Sequence, residues 1–182
     1  MNLRRNVITA LFAAFLCILS PLSIPVGALP VSLGTFCVAV LALVADRRCA
    51  LMALLAYVAL GAVGLPVFAG FVGGGHTLVG PTGGYLFGYI PMALVVSVVV
   101  GKTSSVWRTA AGLVLGQLVC YGFGAAWYAV TVNVSPIAAV MVGVVPFLVF
   151  DAVKLTAAAA LSLTLGKRIG SMLRQDREGE KQ

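Results

Sequence analysis

Three stretches of this chain carry no Asp, Glu, Lys or Arg: Asn6 to Ala45, Cys49 to Gly101 and Thr109 to Phe150. A helix needs roughly 20 apolar residues to cross the ~30 Å hydrocarbon layer of a bilayer, so each stretch has the length for two crossings. With 61% of its 182 residues hydrophobic and 9% charged, the chain has too little polar surface to coat a water-soluble globule. It reads as an all-α integral membrane protein, one domain over residues 1–182 without a linker, low-complexity tract or second soluble unit.

Turn residues divide each stretch. "SPLSIPVGALP" (Ser20 to Pro30) breaks the first, "AGFVGGGHTLVGPTGG" (Ala69 to Gly84) the second and "NVSP" (Asn133 to Pro136) the third. The predicted spans are 7–20, 31–45, 49–68, 84–101, 109–132 and 137–166. The first two are short for a full crossing, which implies that the loop joining them dips into the membrane mouth or that their ends are irregular. Arg4, Arg5, Arg47, Arg48, Lys102, Arg108 and the basic tail from Lys167 onward all fall on one side of this six-helix bundle. The opposite loops carry no charge, so positive-inside bias places both termini in the cytoplasm. The net +7 is thereby topological and calls for no nucleic-acid partner. Trp127 and Tyr128 at the outer end of the fifth span, and Trp107 at its inner end, read as interfacial anchors.

Two features have a second reading. The segment from Met1 to Ala28 also has the form of a secretory signal, and its removal would leave the other five spans in the same orientation. Cys17, Cys37, Cys49 and Cys120 have neither metal-site nor disulfide spacing and read as small buried side chains. The tail from Lys167 to Gln182 is expected to continue the last helix before fraying.

Once the loop charges are placed, Asp151 and Lys154 alone remain inside the membrane. Counted from Lys167 at about 1.5 Å per residue, Lys154 lies roughly 20 Å deep and Asp151 roughly 24 Å, beyond snorkelling reach of the cytoplasmic surface. Residues i and i+3 share a helix face, so both side chains point into one cavity. Intramembrane charges cost several kcal/mol and mark either a functional site or a self-neutralising lock between helices. For a ligand, the pair presents a donor beside an acceptor. Pro146, five residues upstream, is expected to kink the sixth span and aim the acid inward.

The second turn region holds seven glycines between Gly70 and Gly84. Glycine lets backbone approach a ligand closely, which makes this loop a candidate binding wall with Thr82, Gly83 and Tyr85 as contacts, or else a flexible turn. His76 reads as a solvated loop residue. Gln117, inside the fifth span, reads as an interhelical hydrogen-bond donor rather than a ligand contact. Ala10 with Ala14, and Gly112, Gly116, Cys120 and Gly124, form small-residue steps that permit close helix packing, or docking of another subunit where exposed. "VGKTSS" (Val100 to Ser105) ends like a phosphate loop, but Val96 stands where its first glycine is required. No nucleophile–base pair, metal cluster or cofactor loop is present, so neither an enzyme nor a cofactor is predicted.

"GLPVFAG" (Gly64 to Gly70), "GPTGGYLFGY" (Gly80 to Tyr89) and "PFLVFDAVKLTAA" (Pro146 to Ala158), in this order, resemble the BioY family of biotin-capturing S-components of energy-coupling factor transporters. The resemblance implies a prokaryotic plasma-membrane bundle opening outward, with biotin held between the loops and the last helix. It also implies that Ala10 and Ala14 contact a transmembrane coupling subunit resting on a pair of cytosolic ATPases, and that Ser20 to Leu33 form a lid. Gly34 departs from the pattern, standing where a glutamine is common. The rival functions are capture of a different vitamin, a stand-alone ion-coupled carrier using Asp151, and a structural subunit locked by the pair.

Overall fold

The computed structural model describes residues 3–101 and 105–162. Its elements run α1 (Leu3–Leu19), β1 (Ser23–Val26), β2 (Leu29–Ser32), α2 (Gly34–Val44), α3 (Arg47–Ala62), α4 (Gly75–Val79), α5 (Gly83–Val100), α6 (Val106–Val132), α7 (Pro136–Gly143) and α8 (Phe147–Ser162). The chain is mostly helical. α5 and α6 are long and apolar enough to cross a membrane; α7 with α8 makes a third such unit when their 52° bend is taken as one broken span. α1 from Arg5 onward and α2 are apolar but shorter, and α2 extends over only 11 residues.

The breaks have local causes. Asn133 ends α6 in the left-handed region (φ 56°, ψ 50°), and Ser135 starts α7 by accepting from the Ala138 N–H at 3.3 Å, with Pro136 as its first helical residue. The α7–α8 bend lies at Val144–Pro146, where a ring replaces the N–H that a continuous helix would need. The expected kink is therefore present, and sharp enough to divide the predicted span 137–166.

The remaining span boundaries differ more. Residues 31 and 32 belong to a strand, and residues 63–68 form a loop after α3. The first turn region is an antiparallel hairpin with Val26 opposite Leu29 and Ser23 opposite Ser32. Its two-residue turn places Gly27 at φ +70°, as a primed hairpin turn requires at its first position. Residues 163–166 of the sixth span, the tail from Lys167 and Lys102 lie outside the described residues.

α5 and α6 form the most extensive helix pair; α2 and α3 pack on α5, and α1 packs on α3 and α2. Glycines set the α5–α6 approach. A Cβ at Gly116 would collide with Val96, one at Gly84 with Trp127, and one at Gly124 with the Tyr85 ring. The small-residue step on α6 thus packs within its own bundle. The main core gathers Leu16, Cys37, Leu41, Leu54, Tyr57, Met92 and Val96, and a smaller cluster beneath the hairpin holds Leu29, Val31, Tyr121, Tyr128 and Phe147. All four cysteines are free, three of them buried.

Val7, Leu11 and Ile18 on α1, Leu115 and Leu118 on α6, and Val149 and Val153 on α8 are exposed. Helices apolar on the outer face as well as the inner suit lipid surroundings. Trp107 is also exposed. Trp127 and Tyr128, in contrast, are turned inward. Tyr128 is buried, and the Trp127 indole fills the space left by Gly83 and Gly84 while its Nε1 donates to the Gly80 carbonyl at 3.0 Å. Trp127 clamps the glycine-rich loop.

Candidate functional site

Asp151 and Lys154 lie one turn apart on α8 and form an ion pair. Only 4% of Asp151 is exposed, so its charge depends on protein partners. Four donors surround its two oxygens. Lys154 Nζ and Thr35 Oγ1 (3.1 Å) reach Oδ1, while Gln117 Nε2 (2.9 Å) and the Tyr121 hydroxyl (2.6 Å) reach Oδ2. A carboxylate has about four lone-pair positions, and all four are used. Lys154 is equally committed: beyond Asp151 it donates to the Ser32 carbonyl at 2.9 Å and to Thr35 Oγ1 at 3.0 Å. The pair consequently ties together the end of β2, the first turn of α2, the middle of α6 and α8.

Both residues line a cavity. Its polar end is formed by Thr35, Gln117, Tyr121, Asp151 and Lys154. Leu29 and Val31 of the hairpin, Phe68, Leu86, Tyr89 and Phe147 form apolar and aromatic walls. Small-molecule sites combine these features: a few converging polar groups within a largely apolar concavity.

The residues predicted from sequence distribute unevenly around this cavity. Thr82 and Tyr85 line it. The Tyr85 ring is seated on Gly124 and edge-on to Phe147 (centroids 6.4 Å apart), and its hydroxyl donates to the Gly143 carbonyl at 2.7 Å. Gly83 is set back from the cavity. It is buried where a Cβ would strike the Leu78 carbonyl, so its lack of a side chain serves the packing of the loop. His76 is exposed. Ala10 and Ala14 are exposed on α1, on the face opposite buried Phe12, Ala13 and Leu16. Gly34 is buried against Tyr89 and Ser20, and a Cβ there would collide with the Tyr89 hydroxyl. A glutamine at this position has no room here, because Tyr89 occupies it.

Ser32, Thr35 and Tyr121 were not singled out by the sequence. Gln117 is the interhelical donor expected, with Asp151 as its acceptor. One signal was available: Gln117 and Tyr121 are i and i+4 on an otherwise apolar helix, so they share a face.

A predominantly helical, lipid-suited bundle with an internal cavity that ends in a buried ion pair is the architecture of a membrane protein. The chain belongs to the BioY family, whose model it matches over residues 1–171. It is 41% identical to the biotin transporter BioY of Thermotoga maritima over 91% of this chain and 97% of that one. It is 34% identical to a probable biotin transporter BioY of Pyrococcus horikoshii, over 93% and 98%. In fold it resembles the crystal structure of the S-component for biotin from an ECF-type ABC transporter, with a TM-score of 0.83 and 23% identity over 92% of this chain and 95% of that one.

Proposed function

We propose that this chain is the substrate-capture component of an energy-coupling factor importer, taking biotin from the extracellular side. The observation that carries this reading is a buried acid–amine pair at the polar end of an aromatic-walled cavity in a BioY-family chain. Biotin has a ureido ring with N–H donors beside a carbonyl acceptor, joined to an apolar thioether ring and a valeryl chain. Asp151 accepts from a ureido N–H, and Lys154 donates to the carbonyl or to the ligand carboxylate. Because both residues are saturated, the ligand replaces contacts already made. Thr35, whose hydroxyl can rotate, is the partner most easily displaced. A molecule lacking these groups leaves buried partners unmatched at about 1–3 kcal/mol each, which provides discrimination. Tyr85 and Phe147 cover the apolar rings, Thr82 lies at the loop wall with the Gly83 backbone behind it, and the hairpin serves as the lid.

In this reading the bundle makes six crossings in a prokaryotic plasma membrane with both termini in the cytoplasm. The exposed Ala10 and Ala14 surface docks a transmembrane coupling subunit bearing two cytosolic ATPases, which supply the energy. The chain performs no chemistry and needs no cofactor. Titration of the purified protein with biotin, thiamine and riboflavin tests this directly. Saturable binding of biotin alone supports it, and binding of another vitamin in its place overturns the substrate. The dense bonding of Asp151 also favours a second reading, a structural lock. In that case Asp151→Asn impairs folding and the parent protein binds no vitamin. Uptake into vesicles driven by a pH gradient without any ATPase would instead indicate an ion-coupled carrier.

A further inference from the structure

Gln117 is 4% exposed and lines the cavity, yet half of its amide is unused. Its Nε2 donates to Asp151 Oδ2 at 2.9 Å, whereas Oε1 is a buried side-chain acceptor without a hydrogen-bond partner among the described residues. Chemistry determines which end is which: an amide oxygen turned toward the carboxylate would set two acceptors against each other, so the NH₂ group must face Asp151. The carboxylate thereby holds the carbonyl in a fixed direction. Nearly all buried polar atoms in folded proteins are paired, and an unmatched one is destabilising. At the polar end of this cavity, Asp151 and Lys154 have spent their hydrogen-bonding capacity on protein partners, while the Gln117 carbonyl has not.

We infer that Gln117 Oε1 is a specificity-determining acceptor that receives a hydrogen bond from an N–H of the captured ligand, with Asp151 as the positioning residue that presents it. The inference rests on reading the cavity as a biotin site. Biotin has two ureido N–H groups: Asp151 takes one by giving up its bond from Thr35, and Gln117 takes the other without losing a partner. The two acceptors together then require both donors, so a ring carrying a single N–H cannot satisfy the site.

The test is equilibrium binding to the purified, detergent-solubilised full chain. Three ligands are used: biotin, and two analogues in which one or the other ureido N–H is replaced by a ring oxygen without added bulk. In the parent protein each replacement is expected to weaken binding by roughly 10- to 100-fold. In Gln117→Met, of similar shape but without a carbonyl, biotin weakens comparably. One analogue then loses most of its extra penalty, falling to within about threefold of biotin, while the other retains it. Gln117→Glu, sharing a proton with Asp151, keeps an oxygen toward the cavity and preserves both penalties, which covers the case in which the Met variant does not fold. Parental biotin affinity in Gln117→Met overturns the inference, as does full retention of both penalties. If the parent binds no biotin, the capture reading fails and this assignment falls with it. If the parent binds biotin and the penalties do not respond to residue 117, the capture reading stands and this assignment alone is lost.

Discussion

The Tyr121 hydroxyl donates to Asp151 Oδ2 across 2.6 Å, joining α6 to α8 at the polar end of the cavity. It is one of four bonds on that carboxylate, so the acid is held by its own helix and by two others. Removing one member of such a group differs from removing both charges, because a solitary buried charge is far more costly than an absent pair.

Lys154→Ala leaves the Asp151 carboxylate without its counter-ion. We expect high-affinity biotin binding to be abolished and stability to fall by about 3–5 kcal/mol, with the bundle still extractable in detergent. The double variant Asp151→Asn with Lys154→Met should recover most of the thermal stability and none of the binding. Thermal unfolding combined with titration checks both, and unchanged biotin affinity in Lys154→Ala would falsify the site.

Ala10→Trp places a large ring on the exposed face of α1, clear of the cavity lining. Biotin capture by the isolated chain should be unchanged, while co-purification with the coupling subunit and ATP-driven uptake should be lost. Intact uptake in this variant removes the docking assignment.

Gly124→Ala and Gly122→Ala separate packing from propensity. A Cβ at Gly124 would overlap the Tyr85 ring, whereas one at Gly122 meets nothing within 4 Å. Gly124→Ala should destabilise by about 1–3 kcal/mol and weaken biotin binding by displacing a cavity wall. Gly122→Ala should be neutral or stabilising by up to about 1 kcal/mol, because alanine is the better helix former. Equal melting temperatures for the two variants would contradict the α5–α6 packing described above.

Tyr85→Phe keeps the ring and deletes the bond to the Gly143 carbonyl at the end of α7. Stability should drop by about 1 kcal/mol with biotin affinity nearly unchanged, while Tyr85→Ala should lose both. A large affinity loss in the Phe variant would mean that the hydroxyl, and not the ring, contacts the ligand.

Much of this arrangement was legible in the sequence where one residue broke a local rule. Asp151 and Lys154 stood out because every residue for dozens of positions before them is uncharged, and Pro146 announced the bend. Partners drawn from other helices were not legible. Thr35, Ser32 and Tyr121 are unremarkable in their own neighbourhoods and acquire a role only when α2, β2 and α6 converge on α8. The hairpin was obscured by composition: Pro25 and Pro30 argue against strands, yet they sit opposite each other in a two-stranded ribbon, where no neighbouring strand among the described residues requires their N–H groups. Gly83 shows the converse error. The glycine run marked an important place, but at this position the reason is a backbone collision with Leu78.

The bond from Lys154 to the Ser32 carbonyl has a consequence for redesign. It couples the hairpin to the ion pair, because the last residue of β2 shares the amine with Asp151. Substitutions at the end of β2 will therefore also shift the position of the Lys154 amine, even where they touch neither charged residue.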